Sequence, residues 1–276
     1  MKTSKPTIAL IEGSGTGPEV AHVFKKAVST IYKKEKKKEV NFFSFKNKFG
    51  YSPHTFISLR NKYYNQDYSA LKKIINKEVK DLKAFYLETA KKKYLGIFRT
   101  AINAETLYYL RRILTKVKIV PLRIKIHGRY KNILFIRDQI QGYYTNEKIL
   151  HKKGEITINC KFSQEKFNLL ANFVREMVKR FSIKEYDLYF IYKFHLFGLE
   201  LQKMIETAVR SAKLRIKGKF DIFQPDTGMH KLLGELPYSK NKRDLVIVAG
   251  NEIGDVLLET LLHYYRLATK ETFFTL

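Results

Sequence analysis

Residues 7–12, Thr-Ile-Ala-Leu-Ile-Glu, form an apolar run that breaks off at Gly13-Ser14-Gly15-Thr16-Gly17-Pro18. Alternating glycines let the chain turn sharply, and a proline suits the first helical position, where an N–H would be unpaired anyway. Glu19 then places a carboxylate at the positive end of the helix. A buried strand turning at once into a helix predicts an α/β arrangement. The helix is expected from Pro18 to about Lys34, with Val20, Val23, Phe24, Ala27, Val28 and Ile31 on one face. It ends in Lys33-Lys34-Glu35-Lys36-Lys37-Lys38, whose cations complement the negative helix end.

The same alternation continues. Strands are expected at 40–45 and 82–87, around a helix at 68–77, followed by a helix at 108–114. Extended segments follow at 116–126 and 132–137. Residues 142–161 alternate as an antiparallel excursion would, with Ile156 and Ile158 on one face. Beyond it come helices at 164–180, 199–211, 228–233 and 255–267, and strands at 186–193, 219–223 and 245–249. Strands alternating with helices imply a mainly parallel sheet flanked by helices. The chain has 276 residues, 45% of them apolar, enough for one large or two small domains with a real core. No apolar run reaches bilayer length, so no membrane insertion is expected. Cys160 is the single cysteine, which excludes an internal disulfide and a thiolate metal site and suggests a reducing compartment. Residues 1–6 are too few, and too soon followed by a strand, to make a targeting segment.

Charge narrows the function. Lys and Arg number 53 against 26 Asp and Glu, a net +27. Such an excess repels itself, and a polyanionic partner removes the penalty by releasing counterions. An AT-rich genome would favour Lys, Ile, Tyr and Phe codons, which accounts for many lysines but not for the scarcity of acids. RNA is therefore the expected partner. Candidate phosphate contacts are Lys33, Lys34, Lys36, Lys37 and Lys38; Arg60 and Lys62; Lys91, Lys92 and Lys93; Lys116, Lys118, Arg123, Lys125 and Arg129; and Lys213, Arg215 and Lys217. Tyr63, Tyr64 and Tyr94 are candidates for stacking on splayed bases, with ordinary packing as the alternative. A membrane surface fits less well, because no basic stretch has a clean apolar face.

Six segments carry a resemblance, in order along nearly the whole chain. They are Glu12-Gly13-Ser14-Gly15-Thr16-Gly17-Pro18-Glu19-Val20, Leu110-Arg111-Arg112, Phe135-Ile136-Arg137-Asp138-Gln139-Ile140-Gln141-Gly142-Tyr143-Tyr144, Tyr192-Lys193-Phe194-His195, Pro225-Asp226 entering a helix, and Asn251-Glu252-Ile253-Gly254-Asp255-Val256-Leu257-Leu258-Glu259. Together they resemble the isocitrate/isopropylmalate dehydrogenase family. The resemblance implies that fold, with a small antiparallel clasp-like excursion at about 142–161. It also implies a single degenerate unit over 1–276, with 1–110 as a large-domain part and 111–276 as a central, dimerisation part. Residue by residue, Arg111 and Arg137 match substrate-carboxylate arginines, and Tyr144 and Lys193 match an acid/base pair. Asp226, Asp255 and Glu259 match oxygen ligands of a divalent metal.

Departures from the family pattern point away from catalysis. Glu105 and Leu107 stand where the family's substrate-contacting Ser and Asn belong, and Pro121-Leu122 replaces an arginine-proline pair. His195 replaces an Asn. The family's His-Gly-Ser-Ala-Pro-Asp nucleotide loop has no counterpart, so the cofactor-binding C-terminal part is expected to be missing. Each retained residue also has an ordinary use: Arg111 as a solvated helix arginine, Tyr144 as a packing residue, Asp226 and Asp255 as helix caps. The expected protein is a pseudoenzyme without hydride transfer, cofactor or metal. It would act as a structural, RNA-contacting part of a ribonucleoprotein, specifically a mitochondrial ribosome in the matrix, beside ribosomal RNA and neighbouring proteins. The alternative is a non-catalytic regulatory or scaffold subunit of an NAD-dependent isocitrate dehydrogenase-like or respiratory assembly. Homodimerisation is left open.

Overall fold

The structure, a computed structural model, describes residues 5–36, 39–47, 49, 69–103, 106–107, 109–110, 117–142, 149–152 and 154–267. Two compact units divide the chain, 1–114 and 115–275.

In the first unit, strand β1 (Thr7–Ile11) lies between β2 (Asn41–Ser44) and β3 (Gly96–Arg99), and both neighbours run parallel to it. Helix α1 (Gly17–Ile31) follows the glycine-rich turn, and α2 (Ser69–Lys91) precedes β3. The turn's glycines have separate reasons. A Cβ on Gly13 would overlap the Ala101 carbonyl, and one on Gly17 would sit 2.6 Å from the Thr100 hydroxyl. Gly15 turns through φ +67. The Gly13 N–H donates to Thr100 Oγ1 at 2.6 Å, which ties the turn to the end of β3.

Two expectations are corrected here. The segment 82–87 is not a strand but the middle of α2. Its buried Ile75, Val79, Leu82 and Phe85 recur at helical spacing, and Leu82 and Phe85 pack with Ala9, Ile11, Ile102 and Leu110. The strand lies later, at Gly96–Arg99. On α1 the inward line is Gly17, Ala21, Phe24 and Val28, with Phe24 stacked on Phe98 at 3.7 Å. Val20, Val23 and Ile31 are exposed, because a three-stranded sheet covers only one narrow stripe of the helix.

The second unit holds a five-stranded sheet in the order β4-β5-β10-β8-β9. The strands are β4 (Val117–Ile126), β5 (Arg129–Asp138), β8 (Tyr186–Ile191), β9 (Phe220–Phe223) and β10 (Asp244–Ala249). Strands β5, β10, β8 and β9 are parallel, and β4 pairs antiparallel with β5. The β4–β5 connection is two residues, His127 and Gly128, at φ 47 and 77. Positive φ at both central positions is the hairpin geometry that matches strand twist. The sequence shows the two segments as extended but hides their pairing, because His at a left-handed position is a weak turn signal.

Helices α3 (Gln164–Arg180) and α4 (Gly198–Ser211) cover one face of this sheet. Phe167, Leu170, Ala171, Val174, Leu201 and Ile205 pack there on Leu134, Ile136, Leu188, Phe190, Val246 and Val248. The other face meets α6 (Gly254–Tyr264) and the turn following α5 (Pro225–Met229), through Leu232, Leu236, Leu257, Leu258 and Leu261. Both faces being covered explains the unbroken apolar runs of β5 and β10. Pro225 starts its helix three residues before the expected 228. Between β5 and α3, β6 (Ile149–Lys152) and β7 (Glu155–Ile158) form an antiparallel pair, with a Gly142–Lys161 bridge at its base. The expected facing of Ile156 and Ile158 lies outside the described side chains.

The substitution Gly13→Ala forces a methyl against backbone that cannot move aside, and is expected to cost about 1–3 kcal/mol. Urea unfolding followed by circular dichroism should show a lowered midpoint. An unchanged midpoint would mean that the 100–101 segment does not pack on the turn.

Candidate functional site

The carboxyl ends of β5, β8, β9 and β10 lie at one edge of the second unit's sheet, where open α/β sheets hold ligands. Antiparallel β4 brings its first residues to the same edge, so Lys118 stands opposite Arg137 in register. Arg137 is only 5% exposed, and its guanidinium is held on three sides. It donates to Asp255 Oδ1 at 2.6 Å, to Asn251 Oδ1 at 2.8 Å and to the Asn251 carbonyl at 3.0 Å. Lys118 Nζ lies 3.9 Å from the same Asp255 oxygen. Gly254 permits the approach, since a Cβ there would lie 2.6 Å from Arg137 Cγ.

One residue on, Asp138 anchors a second network. Its fully buried carboxylate accepts from the Ile140 N–H at 3.0 Å, Gln141 Nε2 at 2.9 Å and the Tyr192 hydroxyl at 2.8 Å. Burial pushes its pKa up to about 6 against the pull of those three donors, and the nearby Glu252 charge adds to the rise. Burial, with the Asp138 charge, also drives the Tyr192 hydroxyl well above its ordinary range. Glu252 Oε1 accepts from the Lys193 N–H at 3.2 Å, while its Oε2 is buried with no partner among the described residues. Arg137 Nε is likewise buried and, among the described residues, unpaired. The Cys160 thiol is raised to about 11 by partial burial and by Glu252, so it is protonated at neutral pH.

The sequence candidates separate accordingly. Arg137 and Asp255 come together, and Lys118, a candidate phosphate contact, reaches toward the same Asp255 oxygen. Lys193 and Asp226 are exposed, and among the described residues neither bonds to Arg137 or Asp255. Neither Asp226 nor Asp255 caps a helix with its side chain; both lie in the first turn, after Gln224 and Ile253 at the cap. Glu259 lies one turn beyond Asp255 on α6. Arg111 and Tyr144 lie outside the described residues, as does Glu105, whereas Leu107 packs against the core of the first unit. The residues that tie this edge together, Asp138, Tyr192, Gln141, Asn251 and Glu252, were given no role by sequence reasoning. Their signal was a run of polar residues directly after each buried strand.

A divalent cation does not fit this donor set. Among the described residues no group of three or more His, Cys, Asp or Glu converges. The Asp255 oxygen nearest the cluster already faces two cations.

The basic candidates also divide. Lys92 is engaged locally, bonded to Glu88 at 2.5 Å and lying 4.9 Å over the Phe43 ring. Lys93 and Lys213 adopt left-handed conformations at φ 52, closing α2 and α4 as C-terminal caps. Lys91, Lys33 and Lys34 are exposed. Arg123 lies 4.2 Å over the Tyr130 ring on the β4–β5 hairpin, beside exposed Lys125 and Arg129. Lys37, Lys38, Arg60, Lys62 and Lys116 lie outside the described residues, with Tyr63, Tyr64 and the Lys36 side chain. Tyr94 packs edge-on against Phe43 at 5.5 Å, which leaves it less suited to base stacking.

No protein-family model matches the sequence, and no curated protein sequence matches it. Solved structures do. Isocitrate dehydrogenase from Methylococcus capsulatus superposes with a TM-score of 0.59 at 15% identity, covering 94% of this chain and 71% of its own. A protein from Thermus thermophilus superposes at 0.58 and 14% identity, covering 95% of this chain and 48% of its own. The fold is isocitrate dehydrogenase-like. Against the second of these proteins the chain spans about half of the length.

Asp138 supplies a test. Its folded pKa is raised, so between about pH 4 and 6 the native state holds a proton that the unfolded state has lost, and stability falls as pH rises through that window. A rise from 3.8 to about 6 corresponds to on the order of 3 kcal/mol. Urea midpoints of the wild type between pH 4 and 7 should drop more steeply than those of Asp138→Asn. Parallel slopes would show that Asp138 titrates normally.

Proposed function

We propose that this chain is a non-catalytic, RNA-contacting structural component of a ribonucleoprotein, and that the assembly is a mitochondrial ribosome. One observation carries the reading. From Lys213 to Lys219 the cations Lys213, Arg215, Lys217 and Lys219 are exposed, while Leu214 and Ile216 between them pack on the core. Exposed cations thus alternate with inward-packed residues, and the segment presents a row of positive charge. Among the described residues Lys213 and Arg215 enter no ion pair, and Lys217 meets only exposed Glu185 at 3.3 Å. Arg123, Lys125 and Arg129 on the hairpin are likewise outside any ion pair among the described residues. Charges left unpaired on a chain of net +27 favour a polyanion, and a phosphate backbone needs no base-reading geometry. The mitochondrial placement rests on the family resemblance and on the Lys-, Ile-, Tyr- and Phe-rich composition.

The Arg137–Asp255–Lys118 group favours the second reading, a regulatory or scaffold subunit. Two cations share one carboxylate there, and an effector's carboxylate would bind by taking the place of Asp255. Micromolar binding of magnesium citrate that Arg137→Met abolishes would support it.

The RNA reading predicts an affinity that falls linearly on a log–log plot against salt. Replacing Lys213 and Arg215 together by alanine should weaken binding evenly across unrelated RNA sequences and reduce the slope by about 2. Fluorescence anisotropy with short labelled RNAs measures both. A slope unchanged by the double substitution would remove the 213–219 row from the interface.

A further inference from the structure

The opposite, amino-terminal edge of the five-stranded sheet contains a pocket of about 570 Å³ between the strand starts and the turn that follows α5. Four cations line it, Lys131, Lys219, Lys231 and Arg243, against two carboxylates, Asp187 and Glu235. The carboxylates are already committed. Asp187 is buried, with Oδ1 accepting from the Lys219 N–H at 2.8 Å and from Arg243 Nε at 3.0 Å. Its Oδ2 accepts from Asn241 Nδ2 at 2.7 Å. It therefore fixes the pocket wall and orients Arg243. Glu235 bonds to Lys231 at 2.6 Å and lies 3.5 Å from His230.

Lys131 is the anomaly. It is 6% exposed, and among the described residues its ammonium has a single bond, to the Asn241 carbonyl at 3.3 Å. Among those residues two of its three donors have no partner, and no carboxylate lies within ion-pair distance. Burying an ammonium this way is unfavourable unless something supplies the missing acceptors. Burial holds its pKa below the usual lysine range, with Asp187 and Asp244 opposing the shift. Lys219, at the end of the exposed row 213–219, also lacks an ion pair among the described residues. Tyr238 stands at the rim, largely exposed.

We propose that this pocket is a phosphate-binding site, in which Lys131 and Lys219 contact the oxygens and Arg243 closes one side. A phosphate has oxygens enough for both free donors of Lys131 and for Lys219. The phosphate is either a backbone phosphate of the RNA inferred above or a free phosphate. For the first source the proposal rests on the RNA reading; for the second it stands without it.

The test uses the full chain. Thermal unfolding is followed with inorganic phosphate and with sodium chloride at matched ionic strength, for the wild type, Lys131→Met and Lys219→Ala. Phosphate should raise the wild-type Tm in a saturable way, and both variants should lose that rise. Lys131→Met should unfold in chloride no earlier than the wild type, since it removes a buried, poorly paired charge. The same rise in all three proteins, or none in the wild type, overturns the proposal.

A second arm measures anisotropy of a labelled RNA. If the RNA supplies the phosphate, inorganic phosphate at constant ionic strength should compete with it, and Lys219→Ala should lower the salt slope by about 1. A Lys131-dependent phosphate effect with undisturbed RNA binding identifies free phosphate as the ligand. A Lys131-dependent phosphate effect with no RNA binding retains the pocket and removes the RNA reading. RNA binding without any Lys131-dependent phosphate effect does the reverse.

Discussion

Burial of both faces of the five-stranded sheet governs where the second unit can place anything polar. Strands β5, β10 and β8 are covered by α3 and α4 on one side and by α6 with the turn after α5 on the other. Between Ile133 and Ile136, and between Leu245 and Ala249, there is room only for apolar side chains. Charged and hydrogen-bonding groups are therefore displaced to the two ends of the strands, and the two ends resolve them differently.

At the carboxyl end the charges close on one another. Arg137 is held by Asp255 and Asn251, with Lys118 behind, and Asp138 takes three donors in a fully buried setting. A substrate carboxylate arriving at Arg137 would have to displace Asp255 from a 2.6 Å contact. The contact joins the end of β5 to the start of α6. At the amino end the balance is reversed. Asp187 serves as a brace, and among the described residues Lys131 and Lys219 are left with ammonium donors unmet. The row from Lys213 to Lys219 then leads from the solvent-exposed end of α4 directly to that pocket. The proposed RNA contact and the proposed phosphate seat both rest on one surplus of cations, a net +27.

The legible part of this architecture is the part set by local pattern. The glycine-rich turn, the parallel strands and α3 follow from periodicity and, for α1, from Pro18 at the helix start. The run 82–87, Leu-Lys-Ala-Phe-Tyr-Leu, resembled a strand because it is short and mostly apolar, yet inside α2 only Leu82 and Phe85 of it are buried and Leu87 is exposed. The β4–β5 hairpin escaped notice because its turn uses His127 where asparagine or aspartate is usual. At the candidate site, Arg137 and Asp255 were recognisable because each stands in a motif. Their pairing was not, since 118 residues separate them. Lys131 was invisible for a different reason: in a sequence with so many lysines, only the burial of one of them distinguishes it.

The central claim concerns what surrounds the protein in the cell. Sedimentation of the tagged native protein through a sucrose gradient at moderate salt, with and without RNase, addresses it most directly. The account predicts that the protein migrates with a ribosomal particle and that RNase returns it to the top of the gradient. Migration as a small, RNase-insensitive oligomer would contradict the account, and would turn attention to effector binding at Arg137 and Asp255.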